Sequence, residues 1–213
     1  MKNWKYILLS VILFPLVGMV SSCSEESTEE DEYANWQERN EEMTDVWASQ
    51  ALNGWYKKIK CYMKDHASEG ANSDYIYVEE LADTPEMNPE CKPEARDGSP
   101  MATDNVWVAY RARLIPTTSY PEGEIIDQSF VGDFSWRTAD AIGSSGFIPG
   151  FTTALIHMHV GDHWRVYIPY QLAYGTNSSS PPAYSNMIFE IALFDFWNPD
   201  DENHPTEFKA RAK

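Results

Sequence analysis

The sequence predicts an α+β fold: an antiparallel sheet with one short helix laid across it, preceded by a helical segment. Three patterns carry this expectation. Residues 106–114 (VWVAYRARL) alternate strongly, as a central strand does. Residues 152–159 are the one stretch of the second half that reads as a helix, and strand-like runs follow at 164–169 and 187–196. Ahead of these, Trp36, Met43, Val46, Trp47, Leu52, Trp55, Ile59 and Tyr62 recur at three- and four-residue steps among charges.

In chain order, residues 33–66 are expected to be helical, with Asn53-Gly54 dividing them into two helices. The aromatic stripe packs on its own domain in this reading, with a dimer face as the alternative. A polar loop follows at 65–73 and a strand at 75–80. Residues 82–100 carry Pro85, Pro89, Pro93 and Pro100 and read as a long excursion. After the strand at 106–114 come a turn at Pro121-Glu122-Gly123, strand-like residues 124–130 and a weaker strand at 134–137. Gly161 is placed to end the helix at 152–159. No internal repeat is present.

The first residues look like an export signal. Lys2 and Lys5 precede an apolar run at 7–17, and Val20-Ser21-Ser22-Cys23 resembles a bacterial lipobox, which makes Cys23 the expected lipid-carrying residue. SEESTEEDE at 24–32 holds six acids in nine residues and reads as a solvated tether, or as a surface-export signal of the kind found in Bacteroidota lipoproteins. The expected division is therefore signal 1–22, tether 23–32, helical segment 33–72, globular domain 73–198 and polar tail 199–213. The expected location is the outer membrane, facing the periplasm or the cell surface. In such an oxidising compartment Cys61 and Cys91 invite a disulfide, with two free or buried thiols as the alternative.

A net charge of −17 argues against nucleic acid as a partner, because phosphate binding needs clustered Lys and Arg. The apolar fraction of 43% and eight Trp with twelve Tyr support a packed core. His157, His159 and His163 spell HxHxxxH, but residues two apart on a helix end do not face each other, so exposed histidines are expected and no metal. Gly143-Ser144-Ser145-Gly146 is not the G-x-S-x-G elbow of a hydrolase, and no Gly-rich phosphate cradle is present. What remains is an apolar pocket built from residues 147–196, rimmed by a Ser- and Pro-rich loop at 177–185. Such a site works by shape and desolvation.

The order and spacing of several motifs resemble the FKBP-type peptidyl-prolyl isomerase family. Asp104-Asn105-Val106-Trp107-Val108-Ala109-Tyr110 is similar to its D-x-V-x-V-x-Y strand, and Gly123 with Ile126-Asp127-Gln128-Ser129 to its G-x-x-F-D-S-S segment. Phe147-Ile148-Pro149-Gly150-Phe151 resembles V-I-P-G-W. Arg165-Val166-Tyr167-Ile168-Pro169, Leu172-Ala173-Tyr174-Gly175 and Ile188-Phe189-Glu190-Ile191 resemble the strands and loop entry that follow.

The resemblance implies a twisted antiparallel sheet wrapped on one short helix, with the pocket between them. It implies a catalytic set of Tyr110, Asp127, Ile148, Phe151, Tyr174 and Phe189, and further substrate contacts from Ile126, Phe147 and Phe134 or Trp136. Phe151 would be the floor under a proline ring, Tyr110, Phe147 and Phe189 the walls, and the Ile148 N–H and Tyr174 hydroxyl the holders of peptide carbonyls. Asp127 would orient Tyr110. The implied partners are proline-containing segments of exported proteins and macrolide-type inhibitors, with no cofactor. Phe151 stands where the family most often has Trp, Ile126 where it has Phe, and the loop after Tyr174 is altered. These departures leave a non-catalytic peptide-binding module as the alternative.

Overall fold

The computed structural model describes residues 32–137, 142–144 and 146–202. The expected signal, Cys23, nearly all of the tether and most of the polar tail lie outside the described residues. Helix α1 spans Trp36–Leu52 and is followed by β1 (Lys57–Lys60), β2 (Tyr75–Glu80), β3 (Asn105–Arg113), β4 (Ile125–Gln128), β5 (Ile142–Ser144), helix α2 (Pro149–Leu155), β6 (His163–Ile168) and β7 (Met187–Trp197). All strand pairs are antiparallel, in the order β1-β2-β6-β7-β3-β4, with β5 sharing the outer edge of β3 with β4. The fold class is the expected one.

Because neighbouring residues of a strand point to opposite faces, the registers give cross-strand rows. Val78, Val166, Phe189, Ala112 and Asp127 form one row, and Trp164, Ile191 and Tyr110 the next on the same face. Helix α2 lies over this face against β2 and β6. Its residues from Gly150 to Leu155 are all buried, and the hydroxyls of the two buried threonines, Thr152 and Thr153, are satisfied by Phe147 O and Pro149 O. Pro149 suits the first helical position, where an N–H has no intrahelical acceptor. Gly150 is required by packing: a Cβ there would meet Ile168 Cγ2 at 2.3 Å.

The opposite face carries a row of alternating charge, Glu79, Arg165, Glu190, Arg111 and Gln128. Arg165 donates to Glu79 at 3.2 Å, Arg111 Nε donates to Gln128 at 3.1 Å, and His163 Nε2 lies 2.9 Å from Glu190. Beside this row a smaller core forms from Ala109, Phe130, Phe134, Trp136, Ala192 and Phe194.

Three expectations about elements are corrected. Only the first part of 33–66 is helical. Asn53 caps α1 and Gly54 takes φ 79°, after which the chain turns into β1 and joins the sheet beside β2. The buried face of α1 is Trp36, Asn40, Thr44, Trp47 and Ala48, which leaves Val46 and Leu52 exposed, as is Trp55 in the turn that follows. Residues 134–137 form no strand; Trp136 is instead held by its own N–H to Met87 O and by Nε1 to Asp83. Helix α2 begins three residues earlier than 152 and ends at Leu155, where His157 N–H bonds back three residues to Ala154 O.

The expected disulfide is absent: Cys61 and Cys91 are both free thiols. Cys61 is sealed in the main core, whereas Cys91 packs against the second cluster, so the two belong to different parts of the interior.

Candidate active site

The site forms where α2 meets the β3, β4 and β7 side of the sheet. Phe151, 1% exposed, lies at its base. Phe147 stacks on Phe151 with ring centroids 4.4 Å apart, and Phe189 meets Phe151 edge-on at 5.1 Å. Tyr110 closes the cup, edge-on to Phe151 at 6.0 Å and 6.3 Å from Phe189. Edge-to-face and offset contacts are the arrangements aromatic quadrupoles favour. Ile126 and Ile148 pack against the same core while remaining partly open.

The polar edge is built on β3 and β4. The Tyr110 hydroxyl donates to Asp127 Oδ2 at 2.6 Å, and Asp127 Oδ1 accepts the Gln128 N–H at 2.8 Å. Burial first, and then the hydrogen bond to Asp127, raises the Tyr110 pKa well above its ordinary value. Tyr174 is raised too, by burial and then by the negative charge of Asp127. Both phenols are therefore neutral at physiological pH and unsuited to release a proton; the Tyr110 hydroxyl gives its one proton to Asp127, and the Tyr174 hydroxyl is the one suited to hold a carbonyl. Ile148 sits at the N-cap of α2, and among the described residues its N–H has no backbone acceptor.

The structure thus brings together Tyr110, Ile126, Asp127, Phe147, Ile148, Phe151 and Phe189, with Tyr174 close enough to feel the Asp127 charge. Phe134 and Trp136 are not part of it. Both are buried in the cluster on the other face, where Phe134 lies on the His163 ring at 4.1 Å and meets Trp136 edge-on at 5.0 Å. His163 is correspondingly buried rather than exposed. His157 Nδ1 is 2.8 Å from Thr153 O, and His159 is beside Asp162. Among the described residues no group of three His, Cys, Asp or Glu is placed to hold a metal ion.

Ser129 contributes to the site in a way that its position in sequence does not reveal. Ser129 Oγ accepts the Tyr110 N–H at 2.9 Å while Ser129 N–H donates to Tyr110 O at 2.8 Å, which pins the Tyr110 backbone from both sides. Its place two residues after Asp127 was visible, but its function depends on where β4 ends against β3.

The part of the chain that carries these residues is similar to known proteins. Residues 97–194 match the FKBP-type peptidyl-prolyl cis-trans isomerase family. The FKBP-type 22 kDa peptidyl-prolyl cis-trans isomerase of Escherichia coli is 35% identical over 99 residues, which are 45% of this chain and 43% of that protein. Peptidyl-prolyl cis-trans isomerase FKBP10 of Mus musculus is 30% identical over 97 residues, 45% of this chain and 16% of that protein. The chain thus spans less than half the length of these relatives. The crystal structure of FkpA from Escherichia coli covers 79% of this chain and 62% of its own at 20% identity, with a TM-score of 0.49.

Proposed function

The domain at residues 97–194 belongs to the FKBP-type peptidyl-prolyl cis-trans isomerase family, and on that premise we propose that this protein isomerises X–Pro bonds and so assists the folding of exported proteins. The observation that carries the reading is the aromatic cup of Phe147, Phe151, Phe189 and Tyr110 with the Tyr110–Asp127 hydrogen bond at its edge.

Rotation about an amide breaks its resonance, against a barrier of ~18–20 kcal/mol. Uncatalysed X–Pro exchange takes roughly tens to hundreds of seconds. The twisted amide loses conjugation and with it charge separation. An apolar cup therefore favours the twisted state over the planar, more polar one, with no nucleophile and no proton transfer. The proline ring rests on Phe151 between Phe147, Phe189 and Tyr110. Ile148 N–H and the Tyr174 hydroxyl hold the carbonyls on either side, and Asp127 fixes the direction of the Tyr110 hydroxyl. The same cup suits macrolide-type inhibitors.

A second reading, a peptide-holding module without catalysis, is favoured by Phe151, whose ring offers less surface than a Trp floor. A protease-coupled assay of cis–trans exchange on short X–Pro peptides separates the two. Acceleration at micromolar protein supports the isomerase, and its absence in a folded preparation overturns it. Cys23 is proposed to carry lipid chains that anchor the domain to the outer membrane. Mass spectrometry of the membrane-extracted protein tests the acylation, and protease shaving of intact cells tests the face.

A further inference from the structure

We infer that helix α1 belongs to the peptide site: Asn40, acting through Asn186, positions the rim segment that carries Tyr174. The inference rests on the peptide-binding reading above and adds a part of the chain that precedes the family match.

Asn40 and Asn186 are 146 residues apart and both fully buried. Asn40 Oδ1 accepts the Asn186 N–H at 2.8 Å, and Asn186 Nδ2 donates to Asn40 O at 2.6 Å and to Thr44 Oγ1 at 3.0 Å. Asn186 Oδ1 accepts the Tyr170 N–H at 2.8 Å. Tyr170 O in turn accepts the N–H groups of Ala173 at 3.1 Å and Gly175 at 2.9 Å, the two residues that flank Tyr174. An unbroken series of hydrogen bonds therefore runs from the middle of α1 to either side of Tyr174, whose phenol is close enough to Asp127 to feel its charge. Two more ties reinforce it. Trp36 Nε1 donates to Ser185 Oγ at 2.8 Å, and the Tyr170 hydroxyl donates to Glu41 at 3.1 Å.

The rim has little interior of its own. Residues 177–180 are largely exposed and polar, and Tyr174 is 46% exposed. Its geometry comes from its two ends, at Tyr170 and at Ser185-Asn186, and α1 holds both. Removing the Asn186 amide leaves the buried Tyr170 N–H without an acceptor, a penalty the loop relieves by moving away from its bound position. Tyr174 then spends less time where it can hold a carbonyl, and apparent affinity falls by the fraction of time lost. Asn40 and Asn186 touch no peptide; they are positioning residues.

The test compares Asn40→Ala and Asn186→Ala in the full chain with Trp47→Leu, a control that trims the packing on Tyr77 and Tyr167 and keeps every Asn40–Asn186 bond. Thr44→Val, which deletes one acceptor of the network, serves if an Asn variant does not fold. The expected result is an about five- to tenfold rise in KM for an X–Pro peptide with kcat within about twofold, and amide exchange at 173–184 accelerated by about tenfold or more. Trp47→Leu is expected to lower Tm while leaving KM and that local exchange unchanged. Unaltered exchange at 173–184 in the Asn variants, or an equal KM shift in Trp47→Leu, overturns the inference. If the unmodified chain neither isomerises nor binds an X–Pro peptide, the proposed function fails, and the exchange measurement still decides whether Asn40 sets the rim.

Discussion

Asp127 accepts the Tyr110 hydroxyl at 2.6 Å, although the residue directly across from Asp127 in the β3–β4 ladder is Ala112. The contact is a diagonal one, within reach of a long aromatic side chain across about 7–8 Å of sheet. It turns the Tyr110 hydroxyl along the sheet and leaves the ring free to wall the cup.

The diagonal makes a kinetic prediction. Tyr110→Phe and Asp127→Ala are each expected to lower kcat/KM roughly three- to tenfold, the value of one ordinary hydrogen bond. Neither variant introduces a titration: with both phenols raised above their ordinary value, the wild-type rate is expected to be flat between about pH 6 and about pH 9. A pH–rate profile with an inflection in that interval would argue for a proton-transfer step and against desolvation.

Placing Phe134 and Trp136 on the far face separates stability from activity. Phe134→Ala and Trp136→Ala should each cost ~3–5 kcal/mol of stability, as large buried rings do, and leave kcat/KM unchanged in the folded fraction. Phe147→Ala, at a partly open position, should do the reverse, with a smaller stability loss and a marked fall in kcat/KM. Urea titration alongside the isomerase assay reads both quantities.

Gly150 packs directly against Ile168 of β6. Gly150→Ala drives a Cβ into Ile168 Cγ2 at 2.3 Å and toward Leu172 O at 3.1 Å. An overpacking cost of ~1–3 kcal/mol is expected. The displaced helix also carries Phe151 and Ile148 off their positions, so peptide affinity should drop as well. Thermal melts and peptide titration test the two effects together.

Glu190 governs an acid limb of stability. Burial acts to raise its pKa, but the His163 hydrogen bond and the charges of His163, Arg111 and Arg165 outweigh that and hold it below the ordinary carboxylate value. A carboxylate depressed in the folded state contributes stability that is present above its unfolded pKa and is lost as pH falls through the folded one. Glu190→Gln should therefore be less stable than wild type at neutral pH, and the gap should close as pH drops below about 4. Parallel unfolding titrations at neutral and acid pH measure the gap; a constant difference would exclude Glu190 as the titrating group.

Much of the site was legible along the chain. The alternation of residues 106–114 puts Val106, Val108, Tyr110 and Ala112 on one face, and the structure keeps them there. The family resemblance of the run from Phe147 to Phe151 makes Phe151 the floor, whereas the helix expected from residue 152 begins at Pro149. Strand period and neighbour spacing are local properties that depend on residues a few positions apart. Tertiary structure decided the rest. Phe134 and Trp136 are apolar enough to be buried anywhere, and only the return of the 131–137 segment beneath the sheet assigns them to the far face. Residues 57–60 became a strand because β2 offered a free edge, which overrode the helical spacing of Ile59 and Tyr62. Cys61 and Cys91 remain apart because separate cores claim them. Asn40 looks like any polar residue of a helix surface until Asn186 arrives opposite it. A buried amide is stable only when its partner is in place, and that partner is chosen by the folded chain rather than by its neighbours in sequence.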